Sequence, residues 1–126
     1  MKLILAIAAG GAIGAVARHF FAAQVMHLTG GGFPWGIFAA NVLGSFLMGV
    51  LVHVFMHLAE PMPALRAFLA VGVLGAFTTF STYSLDVVLL IERAQFGQAA
   101  FYAVGSAVLA ILGLMGGMAV MRLVLP

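Results

Sequence analysis

Six of the seven positions from Thr78 to Ser84 carry a hydroxyl, and Phe80 and Tyr83 set aromatic rings among them. The run lies in the middle of an apolar segment long enough to cross a membrane. Hydrocarbon does not accommodate so many polar groups without partners, so protein, water or an ion must lie beside them. In another apolar segment stands Asn41, whose carboxamide offers two N–H donors and one acceptor. These groups are rich in donors and poor in fixed charge: an amide, several hydroxyls and the positive edges of aromatic rings. Such a set suits a small anion that must shed its water. A cation path would be expected to show rings of carboxylates or carbonyls. Pairs of nucleophile and base are missing, since there is no Cys, no His close in sequence to the hydroxyl run, and no CxxC, P-loop or HExxH pattern. The sequence gives no reason to expect an enzyme.

The elements that hold these residues follow from composition. Of 126 residues 65% are apolar and 6% are charged, against about a quarter charged in a soluble domain. Five Lys/Arg and three Asp/Glu cannot cover a water-facing surface, so the chain reads as an integral membrane protein. The absence of cysteine removes disulfides and thiolate metal sites, and no basic cluster points to nucleic acid. Four spans are predicted, at residues 3–26, 33–58, 65–91 and 98–125, joined by short links. Each reaches the ~20 residues that a helix needs to cross the hydrocarbon core. The expectation is a single four-span domain over residues 1–126 with antiparallel neighbours. Lys2 before an apolar run is compatible with a cleaved signal, but the run continues past Arg18 and is too long for one.

Charge placement and glycine suggest how the spans associate. The side with both ends of the chain holds Lys2, Arg66 and Arg122, and the other holds Arg93 with Arg18 in the nearer half of the first span. That bias is weak, so insertion in both orientations is expected, which allows an antiparallel dual-topology homodimer, the unfused form of an inverted repeat. Ala6, Gly10 and Gly14 recur every four residues along one face, and Gly72, Gly75, Gly105, Gly113, Gly116 and Gly117 follow in the third and fourth spans. Small residues at such spacing let helix backbones approach closely. Four helices leave little interior for a pathway, and a second subunit related by a two-fold axis supplies the missing wall.

Several polar residues admit two readings. Asn41 and Ser45 share a helix face, with Gly49 and His53 continuing the row, and Asn41 serves either as an anion donor or as an interhelical hydrogen bond. Gly75 and the pair Thr78–Thr79 are poor helix formers, which suggests a break in the third span near mid-membrane. A break frees carbonyl oxygens, which need a cation, water or a hydroxyl, and two crossing subunits would bring several carbonyls to one small cation. Phe80 and Tyr83, three apart, share a face after the break. Asp86 is the one carboxylate within a span, a functional candidate or the partner of a base such as Arg18. Tyr102 and Ser106 project one way from the fourth span, each free to bond its own backbone instead.

Three motifs carry a resemblance: the glycine-rich segment from Gly10 to Arg18, the stretch from Trp35-Gly36 through Asn41-Val42-Leu43-Gly44-Ser45, and the segment from Gly72 to Ser84. With these in order on four spans, the chain resembles the Fluc (CrcB-like) fluoride channels over nearly its full length. The resemblance implies an antiparallel homodimer in the inner cell membrane with two fluoride pathways. It implies a structural Na⁺ held by backbone carbonyls of Gly75 and Thr78 from both subunits. It implies Asn41 as an anion donor, Phe80 and Tyr83 as the aromatic pair, Ser81, Thr82, Tyr102 and Ser106 as polar groups of the pathway, and Arg18 as the arginine that makes the vestibule electropositive. Two positions depart from the family pattern. Tyr83 stands where a second Phe is usual, and Ala110 where a hydroxyl often extends the polar track.

The function expected from this resemblance is passive, fluoride-selective export of cytoplasmic F⁻, which protects the cell from fluoride toxicity. The partners are fluoride, lipid and a second copy of the chain. The alternative is a small four-span, dual-topology, proton-coupled exporter of cationic drugs. That class needs a glutamate embedded in its first span, and this chain has none there.

Overall fold

Glycine and proline mark where the helices of this chain stop. The first helix ends at Gly30, whose φ of 80° is left-handed and whose N–H closes on the Met26 carbonyl. Gly31 follows with φ 81°, a backbone that side chains with a Cβ rarely adopt. Pro63 opens the third span at a position where its missing N–H costs nothing. A turn at Ala94, itself at φ 57°, joins the third span to the fourth. The computed structural model describes residues 1–126 and is all-helical, with four helices long and apolar enough to cross a membrane: Lys2–Thr29, Trp35–Met56, Pro63–Glu92 and Phe96–Val124. These bounds lie within three residues of the predicted ones. Only 16 residues are buried, and most large apolar side chains face outward, as they do when lipid or another subunit is the surrounding medium.

Close backbone contact holds the four helices together. The first span lies against the N-terminal part of the third, and the second against the fourth. At Gly14 an added Cβ would strike the Val73 carbonyl, and at Gly49 it would strike the Leu114 carbonyl. Without a hydrophobic force between helices in lipid, such intimate packing of small residues is what drives association. An aromatic cluster closes one end, with Phe38, Leu90, Ala99 and Tyr102 buried and Phe33 and Trp35 packed against them.

The third span changes its hydrogen bonding along its length. It is α-helical over Pro63–Arg66, π-helical over Ala67–Leu74 and α-helical again over Gly75–Phe77. Thr78 is extended, with φ −87° and ψ 154°, and helix resumes over Ser81–Glu92. Gly75 is itself helical, with φ −61° and ψ −37°, so the departure from helix falls one turn after it. A second π-helical turn occupies Phe101–Gly105 in the fourth span. Wide turns of this kind cluster at functional sites.

Candidate functional site

The backbone just after the extended Thr78 is held by one side chain from the second span. Asn41 Nδ2 donates to the Thr79 carbonyl at 3.0 Å, and Asn41 Oδ1 accepts from the Thr79 N–H at 2.8 Å. The carboxamide thus reads the Thr79 backbone as a neighbouring strand would. In a regular helix the Thr79 N–H would serve the Gly75 carbonyl, so this pairing takes the i+4 donor from Gly75. The Thr78 N–H still reaches Leu74. The Thr78 carbonyl accepts a long contact of 3.4 Å from Arg18 Nη1.

Every hydroxyl of the run finds protein. Thr78 and Ser84 bond back to the carbonyls of Leu74 and Phe80 at 3.0 and 2.9 Å. Thr79 Oγ1 lies 3.3 Å from Ser81 Oγ and 3.4 Å from Thr82 Oγ1, and it accepts the Thr82 N–H at 3.2 Å. The Tyr83 hydroxyl donates to the Ala103 carbonyl at 2.7 Å, within the π-helical turn of the fourth span. This contact answers what a Tyr does at position 83: its hydroxyl is occupied by backbone, leaving the ring rather than the O–H to face the space beside it.

That space is a cavity of about 360 Å³ lined by Asn41, Ser45, Gly75, Thr78, Thr79, Phe80, Tyr83, Ala107 and Ala110. The second, third and fourth spans all contribute. Phe80 is 78% exposed, so the cavity opens on a face that the single chain leaves uncovered. The rings of Phe80 and Tyr83 lie 5.2 Å apart, and Tyr83 stacks on Tyr102 at 5.6 Å. The nine lining residues include no charged group.

Of the residues singled out by sequence, Asn41, Gly75, Thr78, Phe80 and Tyr83 come together here. Ser81 and Thr82 adjoin it through the Thr79 hydroxyl, but Thr82 lines a different cavity of about 340 Å³ with Arg18 and His19. Tyr102 and Ser106 are buried at 0% and 2% exposure and stand behind Tyr83, while Ala107 and Ala110 form the cavity wall on the fourth span. The Tyr102 hydroxyl donates to Asp86 Oδ2 at 2.8 Å, so the partner of the intramembrane carboxylate is Tyr102 rather than Arg18. Thr79, which the sequence marks only as part of the helix-breaking Thr78–Thr79 pair, is the centre of the hydroxyl network and the backbone partner of Asn41.

Of the two carbonyls that the resemblance implies for a Na⁺, Gly75 O is without the Thr79 N–H that a regular helix would give it, and Thr78 O accepts a long contact from the Arg18 guanidinium. Both are neutral oxygen donors of the kind a small hard cation takes, with one positive charge already beside Thr78 O.

The chain is thus an all-helical protein with four helices long and apolar enough to cross a membrane and an uncharged cavity among three of them. The chain belongs to the family described as CrcB-like protein, Camphor Resistance (CrcB), whose model matches residues 5–118. It is 52% identical over 122 residues to a protein of Rhodospirillum centenum named fluoride-specific ion channel FluC, with 97% of each chain covered. Proteins of the same name from Phenylobacterium zucineum and Cereibacter sphaeroides are 47% and 50% identical, the former over 97% and the latter over 94% of each chain.

Proposed function

We propose that this protein is a fluoride-selective channel that lets cytoplasmic F⁻ leave the cell down its electrochemical gradient. What carries the reading is the uncharged cavity at Thr78–Tyr83 in a chain about half identical to proteins named fluoride-specific ion channels. A dehydrating anion meets there the second N–H of Asn41, the Ser45 hydroxyl and ring edges, and no carboxylate repels it. An inside-negative potential drives the ion outward by about 2.3 kcal/mol per 100 mV, so no energy-coupling residue is required. The relatives are named as channels, and the first span carries no carboxylate, so the drug-exporter reading is set aside.

The working form is an antiparallel, dual-topology homodimer in the inner cell membrane. The exposed Phe80 and the uncovered cavity face support this, since a second copy would complete the wall. The third span is interrupted at mid-membrane, and its carbonyls at Gly75 and Thr78, together with those of the second copy, hold a Na⁺. The ion would tie the two subunits together by neutralising oxygens that lipid cannot solvate. Phe80 and Tyr83 line the ion path with their ring edges, the second N–H of Asn41 remains available as a donor, and the hydroxyls of Ser81 and Thr82 adjoin it, while Tyr102 and Ser106 support it from behind Tyr83. Arg18 draws anions into the vestibule.

The test is efflux from proteoliposomes loaded with fluoride or chloride. Fluoride should leave rapidly when a potassium ionophore clamps the voltage, chloride should stay, and collapsing a pH gradient should change nothing. Equal chloride efflux would sink the selectivity claim, and flux that needs a proton gradient would sink the passive mechanism.

A further inference from the structure

His53 and His57 stand four residues apart where the second span ends, at Met56. Side chains at that spacing are neighbours on a helix surface, and the two imidazole rings lie 4.3 Å apart, tilted by 33°. Each ring has one nitrogen tied to a backbone carbonyl. His53 Nε2 donates to the Leu125 carbonyl at 2.8 Å, and His57 Nδ1 donates to the His53 carbonyl at 2.9 Å. A carbonyl oxygen only accepts, so these two nitrogens carry the protons. A neutral imidazole has a single N–H, which leaves a lone pair on Nδ1 of His53 and another on Nε2 of His57. His53 is 5% exposed and His57 is exposed. The one unpartnered polar side-chain atom sealed from solvent is Gln95 Oε1, so the free Nδ1 of His53 is open to a ligand.

Histidines that hold a metal are arranged in this way. A ligating imidazole as a rule donates its other ring N–H to a carbonyl, a carboxylate or water, which fixes the tautomer and the ring. Here both rings are fixed by carbonyls. The spacing fits as well. A transition-metal ion about 2.0–2.1 Å from each nitrogen is about 3.2 Å from each ring centre, so two rings that share it at a right angle lie about 4.5 Å apart. No third histidine or carboxylate joins the pair, so water fills the other positions and the ion is exchangeable. His53 lies twelve residues after Asn41, about 18 Å along the helix, which sets the pair apart from the ion path.

We propose that His53 and His57 form a two-histidine site for a divalent transition-metal ion, held by Nδ1 of His53 and Nε2 of His57. Imidazole favours Cu²⁺, Ni²⁺ and Zn²⁺, with Cu²⁺ bound most tightly. The ion draws electron density from the His53 ring, which makes its Nε2–H a stronger donor to Leu125 and fastens the second span to the end of the fourth.

The experiment uses the purified full chain with any affinity tag removed. Cu²⁺ is titrated and followed by electron paramagnetic resonance, and the thermal transition is measured with and without Zn²⁺. Cu²⁺ should bind saturably with the hyperfine pattern of two nitrogens, and Zn²⁺ should raise the transition. His57→Asn, at an exposed position, should lose the two-nitrogen pattern, weaken Cu²⁺ binding by about tenfold or more and remove the Zn²⁺ shift. His53→Asn should do the same. His19→Asn and His27→Asn, at the two other histidines of the chain, should behave as wild type. A wild type without saturable Cu²⁺ binding, a two-nitrogen spectrum that survives His57→Asn, or one that is lost in His19→Asn or His27→Asn would overturn the proposal. These outcomes leave the channel reading untouched, because none of them is read from fluoride flux.

Discussion

At Asn41 the structure supplies one of the two roles that the sequence leaves open. A lone amide in a membrane helix admits two roles, as a donor to an ion or as glue between helices, and the structure gives its carboxamide a definite backbone partner in Thr79. The donor that remains is one N–H, held in place by the other two hydrogen bonds. Asn41→Ala should therefore act twice: it should cut fluoride flux at least tenfold, and it should lower the thermal transition of the detergent-solubilised protein, since two hydrogen bonds are left without a partner at about 1–3 kcal/mol. A variant with wild-type flux would remove Asn41 from the ion path. The aromatic pair should separate in the same way. Phe80→Ile should abolish most flux with the protein still folded, because Phe80 has no hydrogen-bonding role and its ring is exposed toward the cavity. Tyr83→Phe should conduct within a few-fold of wild type, because it keeps the ring and loses only the bond to Ala103, at about 0.5–1.5 kcal/mol of stability. If Tyr83→Phe proved as inactive as Phe80→Ile, the hydroxyl would belong to the ion path after all.

At the scale of elements, the four spans and their glycine faces were legible because hydropathy and small-residue spacing are local patterns. Gly10 and Gly14 fall on the contact with the third span as their spacing implied. What was not legible depends on backbone groups, which are alike at every position in a sequence. That Thr79 rather than Thr78 pairs with Asn41, that the Tyr83 hydroxyl finds Ala103, and that two stretches widen into π-helix are all settled by which carbonyls and N–H groups the packing releases. Glycine at the contact between the second and fourth spans gives a prediction at this scale. Gly49→Val places its side chain against the Leu114 carbonyl, where only backbone can yield. The pair should be forced apart, and the variant should elute from size exclusion as aggregate or fail to accumulate. Gly116→Val, at a glycine with open space around it, should elute as the wild type does. Equal behaviour of the two would show that the close approach is not what holds these helices.

Over the whole molecule, the chain presents an apolar exterior, two cavities whose walls meet where the Thr79 hydroxyl touches that of Thr82, and an exposed phenylalanine lining one of them. A chain so built does not close a pathway alone, and the proposed dimer is the consequence of that open face rather than an addition to it. Selectivity for fluoride is then a property of donors that replace the ion's water without any fixed negative charge in the cavity. The most direct test of that claim is the reversal potential in a planar bilayer with fluoride on one side and chloride on the other. The account predicts a potential fixed by the fluoride gradient, unmoved when the chloride concentration or the pH of either chamber is changed. A potential that follows chloride, or one that shifts with a proton gradient, would contradict it.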